Sequence, residues 1–286
     1  MRSFLFVPAD SDRKLAKSAG AGADALILDL EDSVLAERKP IARGLAREFL
    51  GSAVPGVQMW VRVNDLASGE LLKDLTAILP ARPAGIVLPK IRGPEDIQTV
   101  SNYLEALEES LGVSASATSI MALATETPMA VLRLPELVRH DFPRLAALSW
   151  GAEDLSSALG AGDPRFADGS WRPMYAHARA QCILAAHSLG VEAIDTVYLD
   201  YRDTAGLGVA CQASRHDGFT GCLAIHPDQV AVINAAFTPS DAEIALAHRI
   251  VQAFAGGEGA VSIDGRMFDV PHLKAAQRLI RSASPP

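Results

Sequence analysis

The chain has little cysteine, no long basic block and no long apolar run, and each shortage closes off a class of protein. Cys182, Cys211 and Cys222 are an odd, sparse set without C-x-x-C spacing, which argues against a disulfide framework and for a reducing compartment. Lys and Arg total 26 against 34 Asp and Glu, a net charge of −8 with no basic cluster, so a nucleic-acid surface is not expected. No apolar stretch approaches the length of a membrane span. The N-terminal MRSFLFVPADSD stops being apolar at Pro8 and turns acidic, unlike a secretory signal, so a cytoplasmic, non-membrane protein is expected. Zinc-type His and Cys patterns are missing as well.

What is present is a rhythm. Short apolar runs alternate with longer amphipathic segments. The strand candidates are 3–8, 25–30, 58–63, 85–90, 119–124, 145–150, 193–199 and 222–227, most of them apolar on both faces, as parallel strands beneath helices should be. Between them, 94–111 carries Ile97, Val100, Leu104, Leu107 and Leu111 on one stripe, opens at Pro94 and closes at Gly112. Segments 172–190 and 12–22 also read as helices ending in glycine. Eight such steps suggest an α/β fold, a (β/α)8 TIM barrel over 1–237, with a doubly wound sheet as the rival. Residues 238–286 read as a C-terminal appendage of helix, hairpin or turn, and helix that can reach a neighbouring subunit. The Gly- and Pro-rich ALGAGDPRFADGSWRP lies between the sixth and seventh strands and is long enough to line a pocket.

The second strand poses the sharpest question. In ALILDLEDSV, Asp29, Glu31 and Asp32 stand where a buried strand ends, and buried carboxylates are costly unless paired or bound to metal. The other strand ends are polar too: Arg62 and Asn64, Lys90, Glu126, Glu153 and Asp154, and His226. In a (β/α)8 barrel all of these ends meet at one rim, where active sites lie. Each residue alone has an ordinary reading as a helix cap, a loop acid or a structural ion pair. Together, several carboxylates beside Arg62 and Lys90 suit a divalent ion with few protein ligands, and Mg2+ fits that sparse oxygen set.

RSFLFVPADSDRKLAKS, GADALILDLEDSV, VRVN, GIVLPK, ATETP, WGAEDL, IDTVYLDYRDTAGL, GFTGCLAIHPDQV, FTPSDAEI and SIDGRMFDVP follow one another along nearly the whole chain. Through them the sequence resembles the citrate lyase beta subunit and malyl-CoA lyase family, the HpcH/HpaI aldolase-like proteins. The resemblance implies a (β/α)8 barrel in a homotrimer or hexamer that uses Mg2+. It implies reversible cleavage of a small 3-hydroxyacyl-CoA, of malyl-CoA, β-methylmalyl-CoA or citramalyl-CoA type. The products would be glyoxylate or pyruvate and acetyl-CoA or propionyl-CoA. It makes Glu126 and Asp154 metal ligands, with Glu126 also against the substrate, and Arg62 the carboxylate-binding arginine. It makes Asp264 an acidic catalytic residue donated across a subunit interface, and Arg13, Lys14 and Lys17 part of the CoA-binding face. Glu31, with Asp29 and Lys90, is expected to support the site by holding metal-bound water or orienting Lys90 or Arg62. Asp32 is expected to shape the turn or cap the next helix. Two departures stand out: ETP replaces the family's ET, small residue, Gly, and Ala9 follows Pro8 where Gly is frequent. Thioester hydrolysis, citrate lyase chemistry on an acyl-carrier thioester and a non-enzymatic CoA-binding role are the alternatives.

Overall fold

A computed structural model describes residues 1–52 and 54–283. Eight strands run Ser3–Pro8 (β1), Ala25–Asp29 (β2), Gln58–Arg62 (β3), Gly85–Leu88 (β4), Ser119–Leu123 (β5), Leu145–Ser149 (β6), Glu192–Asp195 (β7) and Gly221–Ala224 (β8). Each pairs in parallel with the next, and β8 returns to β1, closing the barrel. The doubly wound alternative is thereby excluded. The helices are Asp12–Ser18 (α1), Lys39–Gly51 (α2), Leu71–Ile78 (α3), Pro94–Ser110 (α4), Pro128–Leu137 (α5), Ala152–Leu159 (α6), Pro173–Leu189 (α7), Thr204–Asp217 (α8) and Pro227–Phe237 (α9). Among the described residues no helix is long and apolar enough to cross a membrane.

The barrel interior is filled from every strand. Phe4, Ala25, Ile27, Trp60, Val87, Met121, Leu123, Ala147, Ile194 and Leu223 form one buried cluster. Trp60 is the large plug, and Gly85 beside it has no alternative: a Cβ there would lie 2.3 Å from the Trp60 ring. Side chains alternate along a strand. Two residues beyond Ile27 and Trp60, the inward positions therefore carry Asp29 and Arg62, which are also register partners. The layer above the apolar plug is thus ionic.

The seventh strand is shorter than expected, because Asp195 turns its carboxylate to the Thr196 N–H and the chain leaves the barrel wall. The helix expected over 12–22 stops at Ser18, before Gly20 and Gly22.

The chain divides into two compact units, Met1–Asn234 and Ala235–Pro286, with the boundary inside α9. The second holds helix Asp241–Ala253 (α10), hairpin strands Ala260–Ile263 (β9) and Arg266–Asp269 (β10), and helix Val270–Ala283 (α11). Ser240 starts α10 with a reciprocal capping box to Glu243. Ala247, Ile250, Phe254, Val261, Ile263 and Ala276 form this unit's own core.

Candidate active site

The DLEDSV turn resolves the question of its carboxylates. Asp29, 1% exposed, receives Arg62 Nε at 2.7 Å and Nη2 at 2.6 Å, together with the N–H groups of Glu31 and Ser33. Burial alone would push the Asp29 carboxyl up, but the charge and hydrogen bonds of Arg62 outweigh it and hold the carboxyl below its ordinary range. Glu31 bridges Arg62 Nη1 at 3.0 Å and Lys90 Nζ at 2.5 Å. It therefore contacts both cations that it was expected to orient. Burial, reinforced by the charge of Asp32, still pushes Glu31 up to about 7 against the pull of Arg62 and Lys90. Asp32 lies in the turn, the first of its two expected roles, and does not cap the next helix. It is half exposed and pairs with Lys90 Nζ at 3.0 Å.

Lys90 is the hub. Its ammonium also lies 3.5 Å from Asp154, on the first turn of α6. Its backbone sits in the left-handed region at φ 53°, unusual for a lysine. In that conformation its N–H donates to Glu126 Oε2 at 2.5 Å. Glu126 is 3% exposed, and burial together with the charge of Asp154 drives its carboxyl well up. It lies where Gly151 has no side chain, since a Cβ there would meet Glu126 Cγ at 2.7 Å. Thr127 N-caps α5 through the Ala130 N–H, and Pro128 takes the first helical position, so the ETP departure leaves Glu126 at a regular helix entrance.

A polar network missed in the sequence lies behind the turn. Lys39 Nζ donates to Leu30 O at 2.9 Å, Glu31 O at 3.1 Å and Asn64 Oδ1. Asn64 donates to fully buried Asp74, which also takes Arg43 Nε at 2.7 Å. The detectable signal was a Lys shortly after the acidic turn. Nothing in its spacing pointed to Asp74.

The rim thus gathers Asp29, Glu31, Asp32, Arg62, Lys90, Glu126 and Asp154. Arg13, Lys14 and Lys17 are not in this cluster; they are exposed on α1, which follows the rim end of β1. Asp264 belongs to the second unit. It sits exposed in the turn between β9 and β10 at φ 51°, and Arg249 grips it at 2.8 and 2.9 Å, lowering its pKa. His226 stacks on Tyr201 with ring centroids 4.4 Å apart.

The donor set suits a hard divalent cation. Glu126 and Asp154 supply oxygen, burial and the charge of Asp154 raise the Glu126 pKa, and a bound cation would favour the ionised form of Glu126. No group of three potential ligands from His, Cys, Asp and Glu occurs among the described residues. The class defined by fold and rim is a (β/α)8 enzyme-type barrel with a carboxylate-rich active end. Residues 2–227 match the family described as HpcH/HpaI aldolase/citrate lyase, and the chain belongs to that family. It is 34% identical over 290 residues to a (3S)-malyl-CoA thioesterase of Cereibacter sphaeroides, covering 99% of this chain and 94% of that one. It is 31% identical to the mitochondrial citramalyl-CoA lyase of Rattus norvegicus, covering 99% and 86% of the two chains. A crystal structure of CitE from Mycobacterium tuberculosis, in complex with magnesium, acetoacetate and coenzyme A, superposes with a TM-score of 0.81 at 31% identity. That match covers 99% of this chain and 97% of the other.

Proposed function

We propose that the protein is a Mg2+-dependent carbon–carbon lyase that cleaves a small 3-hydroxyacyl-CoA to a 2-keto acid and an acyl-CoA. The observation that carries the reading is the meeting of buried Glu126 and partly exposed Asp154 with Arg62 and Lys90 at one barrel end. Glu126 and Asp154 would hold the ion. Bound there, Mg2+ supplies positive charge for the hydroxyl and carboxylate oxygens of the acyl chain.

Arg62 has five N–H donors, and its contacts with Asp29 and Glu31 use three. The remaining two receive the substrate carboxylate, while Asp29 keeps the guanidinium from turning away. Lys90 holds Glu31 and Asp154 in place and screens their repulsion. Arg13, Lys14 and Lys17 offer three exposed cations to CoA phosphates. Asp264, contributed by a neighbouring copy in a homotrimer or hexamer, is assigned the proton exchange at the thioester α-carbon. A positioned acid–base group of this kind contributes roughly 10² to 10⁴-fold. Its pairing with Arg249 keeps it ionised, as a base for condensation requires. Withdrawal from Arg249 into a drier interface would raise its pKa toward the donor form.

Thioester hydrolysis is the second reading, favoured by the likeness to the malyl-CoA thioesterase. Incubation with Mg2+ and malyl-CoA, β-methylmalyl-CoA and citramalyl-CoA, with every product identified by mass, separates the two. A keto acid with intact acyl-CoA is the expected result. A malate-like acid with free CoA would establish hydrolysis instead.

A further inference from the structure

Glu126 lies against Gly151, and Asp154 follows three residues later on α6. Both carboxylates therefore depend on where the end of β6 places the Trp150–Gly151 pair. Trp150 is fully buried and held from two sides. On one side its indole Nε1–H donates to Asp195 Oδ1 at 2.5 Å. Asp195 is itself held by the Thr196 N–H, the Ser214 hydroxyl and Arg179 Nη2 at 3.1 Å. On the other side Trp171, from the loop between α6 and α7, meets the Trp150 ring edge to face with centroids 4.7 Å apart. Arg165 covers Trp171 in turn, its Cζ 3.4 Å from the ring centroid. It is tied down by donating to Gly169 O at 2.7 Å. The loop is closed by backbone bonds from Phe166 N to Ser170 O and from Arg172 N to Pro164 O.

The result is one continuous stack, Arg165 on Trp171 on Trp150 on Asp195, running from an exposed loop to the barrel wall. Edge-to-face rings and a guanidinium over an indole are directional contacts, so the stack resists rotation of Trp150 as well as its displacement. A shift of Trp150 carries Gly151 with it, and Glu126 has no room to stay behind. We propose that Trp171 and Arg165 are positioning residues for the cation site, setting the separation of Glu126 and Asp154 from outside it. The inference rests on the reading of those two carboxylates as metal ligands. In this arrangement the loop between α6 and α7 braces the site from behind the strand that bears it.

The test is calorimetric titration of Mg2+ into the full chain and into Trp171→Ala, Trp171→Phe and Arg165→Gln, with electron paramagnetic resonance of bound Mn2+ as a second readout. Trp171→Ala should weaken Mg2+ binding about tenfold or more, the range for loss of a supporting contact behind a metal ligand. It should also alter the Mn2+ spectrum. Arg165→Gln should weaken binding about threefold, as expected for one cation–π contact. Trp171→Phe keeps a ring edge and should restore affinity to within about twofold of the parent and return its Mn2+ spectrum. Should Trp171→Ala not fold, Arg165→Gln decides the question from the loop surface. Parent protein that binds Mg2+ while both loop variants bind equally well would overturn the positioning role alone. Parent protein that binds no Mg2+ would overturn the Glu126–Asp154 reading and this inference together.

Discussion

The two ends of the barrel both bury ions, and they do so in opposite ways. At the N-terminal end, Glu108 and Arg144 form a closed pair at 2.7 and 3.0 Å, with the N–H groups of Ser116 and Thr118 taking the remaining carboxylate capacity. Burial opposes the Glu108 charge, but these partners prevail and its pKa falls below the ordinary 4.5. At the C-terminal end, Asp29, Glu31, Asp32, Glu126 and Asp154 face Arg62 and Lys90. Counted as ionised, the five carboxylates exceed the two cations by three formal charges. Burial and neighbouring carboxylates raise Glu31 and Glu126, and Lys90 holds a left-handed backbone. One end is matched for stability. The other keeps an unbalanced charge that a divalent ion can complete, as expected of a functional site.

Glu126 separates the two ends most sharply. Glu126→Gln should lower turnover by about a hundredfold or more through loss of the metal contact proposed for it. It should leave the melting temperature unchanged or raise it by about 2–4 °C as repulsion is relieved. A variant that unfolds instead would mark Glu126 as structural. Glu108→Gln should do the reverse, costing about 3–5 kcal/mol in urea unfolding because Arg144 loses its buried partner. Turnover per folded molecule should not change.

The same pair sets a pH dependence. The folded Glu108 pKa lies below the unfolded value, so its contribution is complete above about pH 4.5 and is lost as pH falls through the folded pKa. Glu108→Gln should therefore flatten the acid side of the stability profile. An unchanged acid slope would contradict the pairing. The smallest effect belongs to Ser149, fully buried with a hydroxyl that has no hydrogen-bond partner among the described residues. Ser149→Ala should change stability by less than about 1 kcal/mol, since no bond is lost.

The barrel and most of the rim were legible because both follow from strand endings. Apolar runs located the eight strands, and their polar ends named Asp29, Glu31, Arg62, Lys90, Glu126 and Asp154, which the fold brings together. The pairing within the cluster was legible in part, since Glu31 was expected against Lys90 or Arg62. The Lys90 N–H meets Glu126 from a left-handed turn, and no residue type announces that conformation here. The Lys39–Asn64–Asp74 network and the Trp150–Trp171–Arg165 stack join segments far apart in sequence through side-chain geometry alone. Asp264 came from family resemblance, and its chain-local partner, Arg249, had no signal in the motif.

The most direct test of the contrast is thermal unfolding with and without Mg2+ for the parent, Asp154→Asn and Glu108→Gln. A ligand that binds only the folded state raises its stability, by about 2.7 kcal/mol at a hundredfold excess over Kd. The account predicts a Mg2+-dependent rise in the parent, the same rise in Glu108→Gln from a lower starting point, and none in Asp154→Asn. An equal rise in Asp154→Asn would contradict it, because the ion would then be held somewhere other than the C-terminal rim.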